Sequence, residues 1–437
     1  MFKLKWQYLL FSVLVVVFVS SCAPPPPVEE PVAESEPVYF ADPNLEAAIR
    51  AALGKAPGLP VSAEELAGLT GLKANYTDIA DLSGIEHCSN LNTLDFAYNQ
   101  LADLSPLASL VNLTSLDLSR NLVVDVSPLA SLGDLTSLNL AYNKIGDVSP
   151  LKSLVNLAWL DLSFNEISDI SPLGSLTEMK SLFLSTNAID DIAPLSSLTA
   201  LRKLELDGNE ISDIGPLSSL KGLEMLKLDG NRVSDIAPLT SLTELTVLYI
   251  SANRISELSP LSGLTELIEL HLASNRIGDI SPLATLSRLS ILDISNNGFS
   301  DVSPMAQLTN LKMLDLSRNY DIADVCRLSG LLGLEELRLG TNKISDITPL
   351  APLAGLKNLY LSSNEINDIT ALASLVNVER LHLDGNQISD IAPLLENGGL
   401  GAGDHLTLKN NHLDLAGNSE DMENIRQLEE RGVQVNY

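Results

Sequence analysis

Residues 113–129 read LTSLDLSRNLVVDVSPL, and this stretch decides the fold. Leu116 and Leu118 alternate with Ser115, Asp117 and Ser119, the period of a strand with one buried face. Asn121 ends the strand motif, and Pro128 follows seven residues later. A proline there suits a 3₁₀ or irregular return better than a full α-helix. The same unit recurs in both directions. Asn99, Asn121, Asn143, Asn165, Asn187, Asn209, Asn231, Asn253, Asn275, Asn297 and Asn319 stand 22 residues apart without a break. The ladder continues at Asn342, Asn364, Asn386 and, after a longer insertion, Asn411, while Thr77 holds the same place one step upstream. A 22-residue turn that returns the chain one strand spacing along, ~4.8 Å, stacks the strands in parallel. The leucines then line one continuous core, and each Asn can satisfy backbone groups in neighbouring turns.

On these residues the chain resembles the leucine-rich repeats of bacterial internalins, and also those of eukaryotic phosphatase regulators. The resemblance covers nearly all of residues 38–437. It implies an α/β leucine-rich repeat solenoid of about sixteen turns over residues 69–415. The parallel sheet would form its concave face and short 3₁₀ or irregular segments its convex side. A solenoid needs both ends closed. Residues 38–68 predict a helical N-terminal cap: Asp42-Pro43 opens a helix whose face carries Leu45, Ala48, Ile49, Ala52 and Leu53, and Gly54 ends it. Ser62 to Glu65 reads as a capping box opening a second short helix that runs into Leu69. Residues 416–437 predict a helix capped by Ser419, with Met422, Ile425 and Leu428 on one face, closed by Gly432 and followed by a strand from Val433 to Val435.

Residues 1–21 read as an export signal. Lys3 and Lys5 precede an apolar run from Trp6 to Val19, which is short for the ~20 residues of a membrane-spanning helix. Val19-Ser20-Ser21-Cys22 resembles the lipobox of bacterial lipoproteins. That resemblance implies cleavage before Cys22, a diacylglyceryl thioether on its sulfur, and anchoring through lipid chains. Ala23 stands where an inner-membrane-retained lipoprotein would carry Asp, so an outer-membrane or cell-surface position is expected. From Cys22 to residue 37 the chain is a Pro- and Glu-rich linker, an extended spacer of ~3.1 Å per residue.

The charge is -29, from 27 Lys+Arg against 56 Asp+Glu. It argues against nucleic acid, whose phosphates call for clustered Lys and Arg. Fifteen of the acids occupy one place in the repeat, four residues after each ladder position, from Asp81, Asp103 and Asp125 onward to Asp390, with Glu257 the one Glu and Asp324 one residue late. There Asp can accept backbone N–H bonds in a tight loop. Much of the imbalance is thus a motif multiplied. Catalytic signatures are missing: no His-Glu-x-x-His, G-x-S-x-G, phosphate-cradling loop or Cys-x-x-Cys occurs. Neither a catalytic residue, a cofactor nor a metal is expected; His382, Asp384 and His405 form the one constellation that could be weighed as ligands. Cys88 takes a position held elsewhere by Leu and reads as a buried thiol.

The repeats also define a default. The outward strand positions are usually Ser or Thr, Asp or Asn, then Ser or Ala, as in Ser115, Asp117 and Ser119. Large side chains replace them at Trp159, Phe183, Lys203, Glu205, Met225, Lys227, Val247, Tyr249, Glu269, His271, Ile291 and Met313, then at Arg338, Tyr360, Arg380 and His382. Aromatics flanked by charges on an exposed face have hot-spot composition. The band from Trp159 to Met313 is therefore the expected ligand-binding face, for an unidentified protein or glycan, with Trp159 exposed. Internalin-like proteins bind host or envelope proteins with this face, but their immunoglobulin-like domain and LPxTG signal do not appear here, so an invasion role is not expected. The alternative is a structural envelope protein that self-assembles or bridges envelope components.

Overall fold

Each L-x-L tripeptide is extended because its leucines can all be buried on one side, whereas a helical turn would scatter them. The computed structural model describes residues 37–437 and shows seventeen three-residue strands, from Gly71–Lys73 to Gln434–Asn436. The export signal and Cys22 lie outside the described residues. Each strand pairs in parallel with the next, leucine opposite leucine: Leu94 with Leu116, Leu116 with Leu138, Leu226 with Leu248. Return segments such as Ser105–Ser109 and Ser127–Ser131 are 3₁₀, with proline in their first turn. One apolar residue from each return, usually Leu, meets two from each strand region in a single apolar core that runs the length of the solenoid. Burying each such side chain contributes about 1.5–3 kcal/mol.

The asparagines form the polar spine. Asn231 Oδ1 accepts the Ile211 N–H at 3.0 Å, and its Nδ2 donates to Leu206 O at 2.9 Å and Leu228 O at 3.1 Å. The side chain thus bonds both its own turn and the preceding one. Thr77 fills in at the first turn, donating to Ala74 O at 2.8 Å while its N–H and that of Ile79 reach Asn99 Oδ1. The acid column sits one step further round. Asp103, Asp125 and Asp279 each accept the N–H two residues on at 2.8 Å, where the 3₁₀ return begins.

The caps are tied to the stack. In helix α1 (Pro43–Leu53), Asp42 Oδ1 caps the first turn and its Oδ2 accepts the Ala80 N–H at 2.7 Å, joining cap to first repeat. Burial alone would raise the Asp42 carboxyl, yet four backbone N–H donors hold it below its ordinary value. Leu45 and Ile49 are buried as expected, whereas Ala52 is exposed because the α1 face turns away there. Helix α2 (Ala63–Ala67) has the full capping box and ends at Ala67, two residues short of Leu69. Helix α3 (Ala392–Glu396) replaces a 3₁₀ return before the last full turn. Helix α4 (Glu420–Glu430) is capped by Ser419 and buries Ile425 and Leu428. The last strand is Gln434–Asn436, one residue later than the sequence predicts, because the Gly432 turn, at φ 94, delays pairing.

The 23-residue spacing between Asn319 and Asn342 is absorbed by a tight turn in which Tyr320 has φ 65 and Asp321 N–H reaches Asn319 O at 2.9 Å. The strands stay in register, Leu314 opposite Leu337. The spine does not. Asn342 Oδ1 is buried without a partner among the described residues, because the residue that should donate to it has been displaced.

Candidate binding surface

The strand face brings every residue of the expected band into one continuous surface, since parallel register places residues one repeat apart side by side. Burial departs from the expectation. Trp159 is half-buried rather than exposed, and so are Phe183, Glu205, Met225, Lys227, Val247, Tyr249, His271, Ile291 and Met313; of the band only Lys203 is exposed. At a strand spacing of ~4.8 Å large neighbours lean on one another and cover each other's flanks. Trp159 lies tilted against Phe183 with ring centroids 5.5 Å apart.

The centre of the band is a charge relay across adjacent turns. Lys227 Nζ meets Glu205 Oε1 at 2.8 Å and lies 5.4 Å from the centroid of Tyr249. The Tyr249 ring stacks on His271 at 4.2 Å, and both donate toward Glu269, the phenol through a short hydrogen bond and His271 Nε2 at 2.9 Å. His271 Nδ1 faces Asp293 at 3.9 Å. Burial and then the Glu269 carboxylate push the Tyr249 phenol up to about 12. Burial works against a charged His271, but Asp293 and Glu269 outweigh it and hold the imidazole above its ordinary value. Asp161, Asp207, Asp229 and Asp315 are raised, first by burial. The cation–tyrosine–histidine order recurs further along: Arg338 lies 5.1 Å from the Tyr360 centroid, and Tyr360 stacks on His382 at 4.8 Å.

The register separates the weighed metal ligands. His382 lies opposite Thr407, and His405 opposite Arg380. Asp384 is engaged by the Thr407 hydroxyl and by the Lys409 N–H at 2.9 Å. No group of three His, Cys, Asp or Glu is arranged to hold a metal among the described residues. Cys88 is buried, and burial pushes its thiol up to about 12, which makes it inert at neutral pH.

A second surface was not anticipated from the sequence. The residue just before each ladder Asn has positive φ in every turn: Tyr76, Tyr98, Arg120, Tyr142, Phe164 and Thr186, then Gly208, Gly230, Ala252 and Ser274, and onward to Asn410. These residues form a rim where the chain leaves the strand. In the first five turns the rim is a stack. Tyr76 and Tyr98 are 4.0 Å apart at 21°, Arg120 sits 4.9 Å from the Tyr98 centroid and 3.7 Å from that of Tyr142, and Tyr142 stacks on Phe164 at 4.1 Å and 8°. The signal was in the sequence as a column that reads Tyr, Tyr, Arg, Tyr, Phe and after residue 164 carries no further aromatic, only Gly, Ala, Ser, Thr and Asn apart from a lone Arg318.

Among the described residues no helix is long and apolar enough to cross a membrane. None of the curated proteins matches the chain. A two-copy leucine-rich repeat model matches residues 111–153, 155–197, 199–241, 243–285, 265–307 and 355–396, and a second leucine-rich repeat model matches 87–104. Neither describes a catalytic family. Among solved structures, an internalin (inlF) from Listeria monocytogenes is 36% identical, with TM-score 0.66, over 80% of this chain and 96% of that one. A leucine-rich repeat protein of Leptospira interrogans is 25% identical, with TM-score 0.77, over 86% of this chain and 97% of that one. The functional domain of InlJ from Listeria monocytogenes shares the fold at 24% identity and TM-score 0.72, over 84% of this chain and 80% of that one. With its 22-residue asparagine ladder, single parallel sheet and 3₁₀ returns, the chain belongs to the leucine-rich repeat family and is built like the Listeria internalins.

Proposed function

We propose that the protein is a lipid-anchored, non-enzymatic binding protein of the bacterial envelope that offers the strand face of its fifth to twelfth turns to a protein or glycan. One observation carries this reading. On that face the small polar default gives way to large side chains held laterally in fixed pairs, Trp159 with Phe183, Lys227 with Glu205 and Tyr249 with His271. Side chains already ordered in the free protein lose little entropy on binding, which is what favours affinity. A charge of -29 disfavours nucleic acid as the occupant. Anchoring rests on the Val19-Ser20-Ser21-Cys22 motif, and palmitate labelling that survives Cys22→Ser would remove it.

The face is tested with the immobilised full chain and its Trp159→Ala/Tyr249→Ala double variant, each offered envelope proteins and a glycan array. Truncating two anchors should weaken the retained partner by about 2–4 kcal/mol, a loss of roughly 30-fold or more. A partner held equally by both chains would move the function off this face, and retention of the chain by itself would favour the self-assembling envelope role.

A further inference from the structure

The rim stack has no role in the strand face, and it occupies a backbone that favours other residues. Positive φ is set by the turn: each rim N–H reaches a carbonyl of the next turn, as Arg120 N–H does to Ala141 O at 2.8 Å. Glycine fills the same place at Gly208, Gly230 and Gly385 without strain. Bulky residues there cost on the order of 1–2 kcal/mol each, yet the first five turns carry four aromatics and an arginine. Tyr76 is 67% exposed, and Tyr98, Tyr142 and Phe164 are each about 40% exposed. Stacking at 0.5–1.5 kcal/mol per pair offsets the strain without explaining why it was incurred.

The geometry of the stack restricts what it can meet. Tyr98, Arg120 and Tyr142 each have both faces covered by a neighbour at 3.7–4.9 Å. Sugars dock on open ring faces, so these rungs offer them little; what remains exposed is ring edges, hydroxyls and the guanidinium edge. Arg120 is the decisive rung. Its guanidinium is clamped between two rings, is exposed, and has no hydrogen-bond or ion-pair partner among the described residues. A planar fork held this way is preorganised for bidentate capture of a carboxylate. In the same turn Leu122 is 45% and Val124 59% exposed, adding apolar surface beside the charge. The geometry points to the rim of the first five turns as a docking site for a protein segment that presents an Asp or Glu carboxylate to Arg120, flanked by apolar side chains packing on the ring edges. This site is separate from the strand face and does not depend on that face being used.

A random dodecapeptide display library panned on the immobilised full chain, with counter-selection on its Arg120→Gly variant, tests the site. Glycine is native at this backbone position in three other turns, so Arg120→Gly should fold, and its thermal midpoint checks that. Selected peptides should carry Asp or Glu beside apolar residues, and a Glu→Gln twin of the best should bind at least about tenfold more weakly in fluorescence anisotropy. Arg120→Lys keeps the charge and loses the fork; it should also weaken binding severalfold. Polygalacturonate, an anionic glycan, is run in parallel. No Arg120-dependent peptide, equal binding of the Glu and Gln twins, or Arg120-dependent binding of polygalacturonate in place of peptides would each overturn the proposal.

Discussion

The first five turns and the five that follow share one backbone and place their large side chains differently. In turns two to four the strand face is Thr93 and Asp95, Ser115 and Asp117, Ser137 and Asn139, while the rim carries Tyr98, Arg120 and Tyr142. In turns seven to nine the rim is Gly208, Gly230 and Ala252, and the strand face carries Lys203 and Glu205, Met225 and Lys227, Val247 and Tyr249. Trp159 and Phe164 share the turn where the two patterns meet. Within a repeat protein the core and spine are fixed by stacking, so surface columns are the positions free to vary. The exchange therefore marks two surfaces, each confined to part of the solenoid.

The largest expected effect tests whether the two regions share a spine. Asn121→Ala and Asn231→Ala each remove one accepted and two well-formed donated hydrogen bonds and leave buried backbone groups unpaired. Each should cost about 3 kcal/mol in urea denaturation, at 1–3 kcal/mol per orphaned group with partial relaxation. A markedly smaller loss for Asn121 would mean that the rim stack also holds the first turns together. The next effect inverts the rim. Gly208→Tyr places a bulky residue at φ 65 beside Thr186, whose Oγ1 lies 3.4 Å from the added Cβ, with no aromatic neighbour in the rim on either side. It should lose about 1–2 kcal/mol, whereas Tyr98→Gly should change stability by less than about 1 kcal/mol, lost stacking being offset by relieved strain. Equal costs would show that the backbone is indifferent and would weaken the case that the rim residues serve binding.

The smallest effect belongs to the strand face. His271 is held above its ordinary value of 6.5 by Asp293 and Glu269, against burial. A group whose pKa is raised by folding stabilises the fold fully below its unfolded value, and that contribution is lost as pH rises through the folded value. Thermal midpoints of the wild type and His271→Gln should therefore differ more at pH 5.5 than at pH 8.5, by a contribution below about 1 kcal/mol. A difference that grew with pH would mean that His271 is neutral and that the relay is wired otherwise.

The loop acids behave in the opposite sense. Asp103 and Asp279 lie below their ordinary range because backbone and hydroxyl donors from Ser105 and Ser281 stabilise the carboxylate, whereas Asp161 and Asp207 lie above it because burial disfavours the charge. Spacing alone identified the first group, since an acceptor two residues ahead of a return segment has a local partner. It could not sort the second. Asp161 stands opposite Phe183 in the next strand, and Phe183 in turn meets Trp159, so its surroundings are a property of neighbouring turns.

The 22-residue period was enough to establish the parallel strands, the leucine core and the Asn spine, because each is a contact repeated between equivalent residues one turn apart, while the end helices were legible from local capping residues at Asp42, Ser62 and Ser419. Three things required the assembled solenoid. The band from Trp159 to Met313 is half-buried rather than exposed, Lys203 excepted, since side chains in adjacent strands share less width than they need. The single extra residue near Tyr320 leaves the register intact and strands Asn342 Oδ1, since strand pairing outweighs one side-chain acceptor. And the rim became a surface only when the backbone turned left-handed before each Asn, bringing Tyr76, Tyr98, Arg120, Tyr142 and Phe164 face to face. A period assigns residues to columns; the dihedral at each column decides whether its side chains meet.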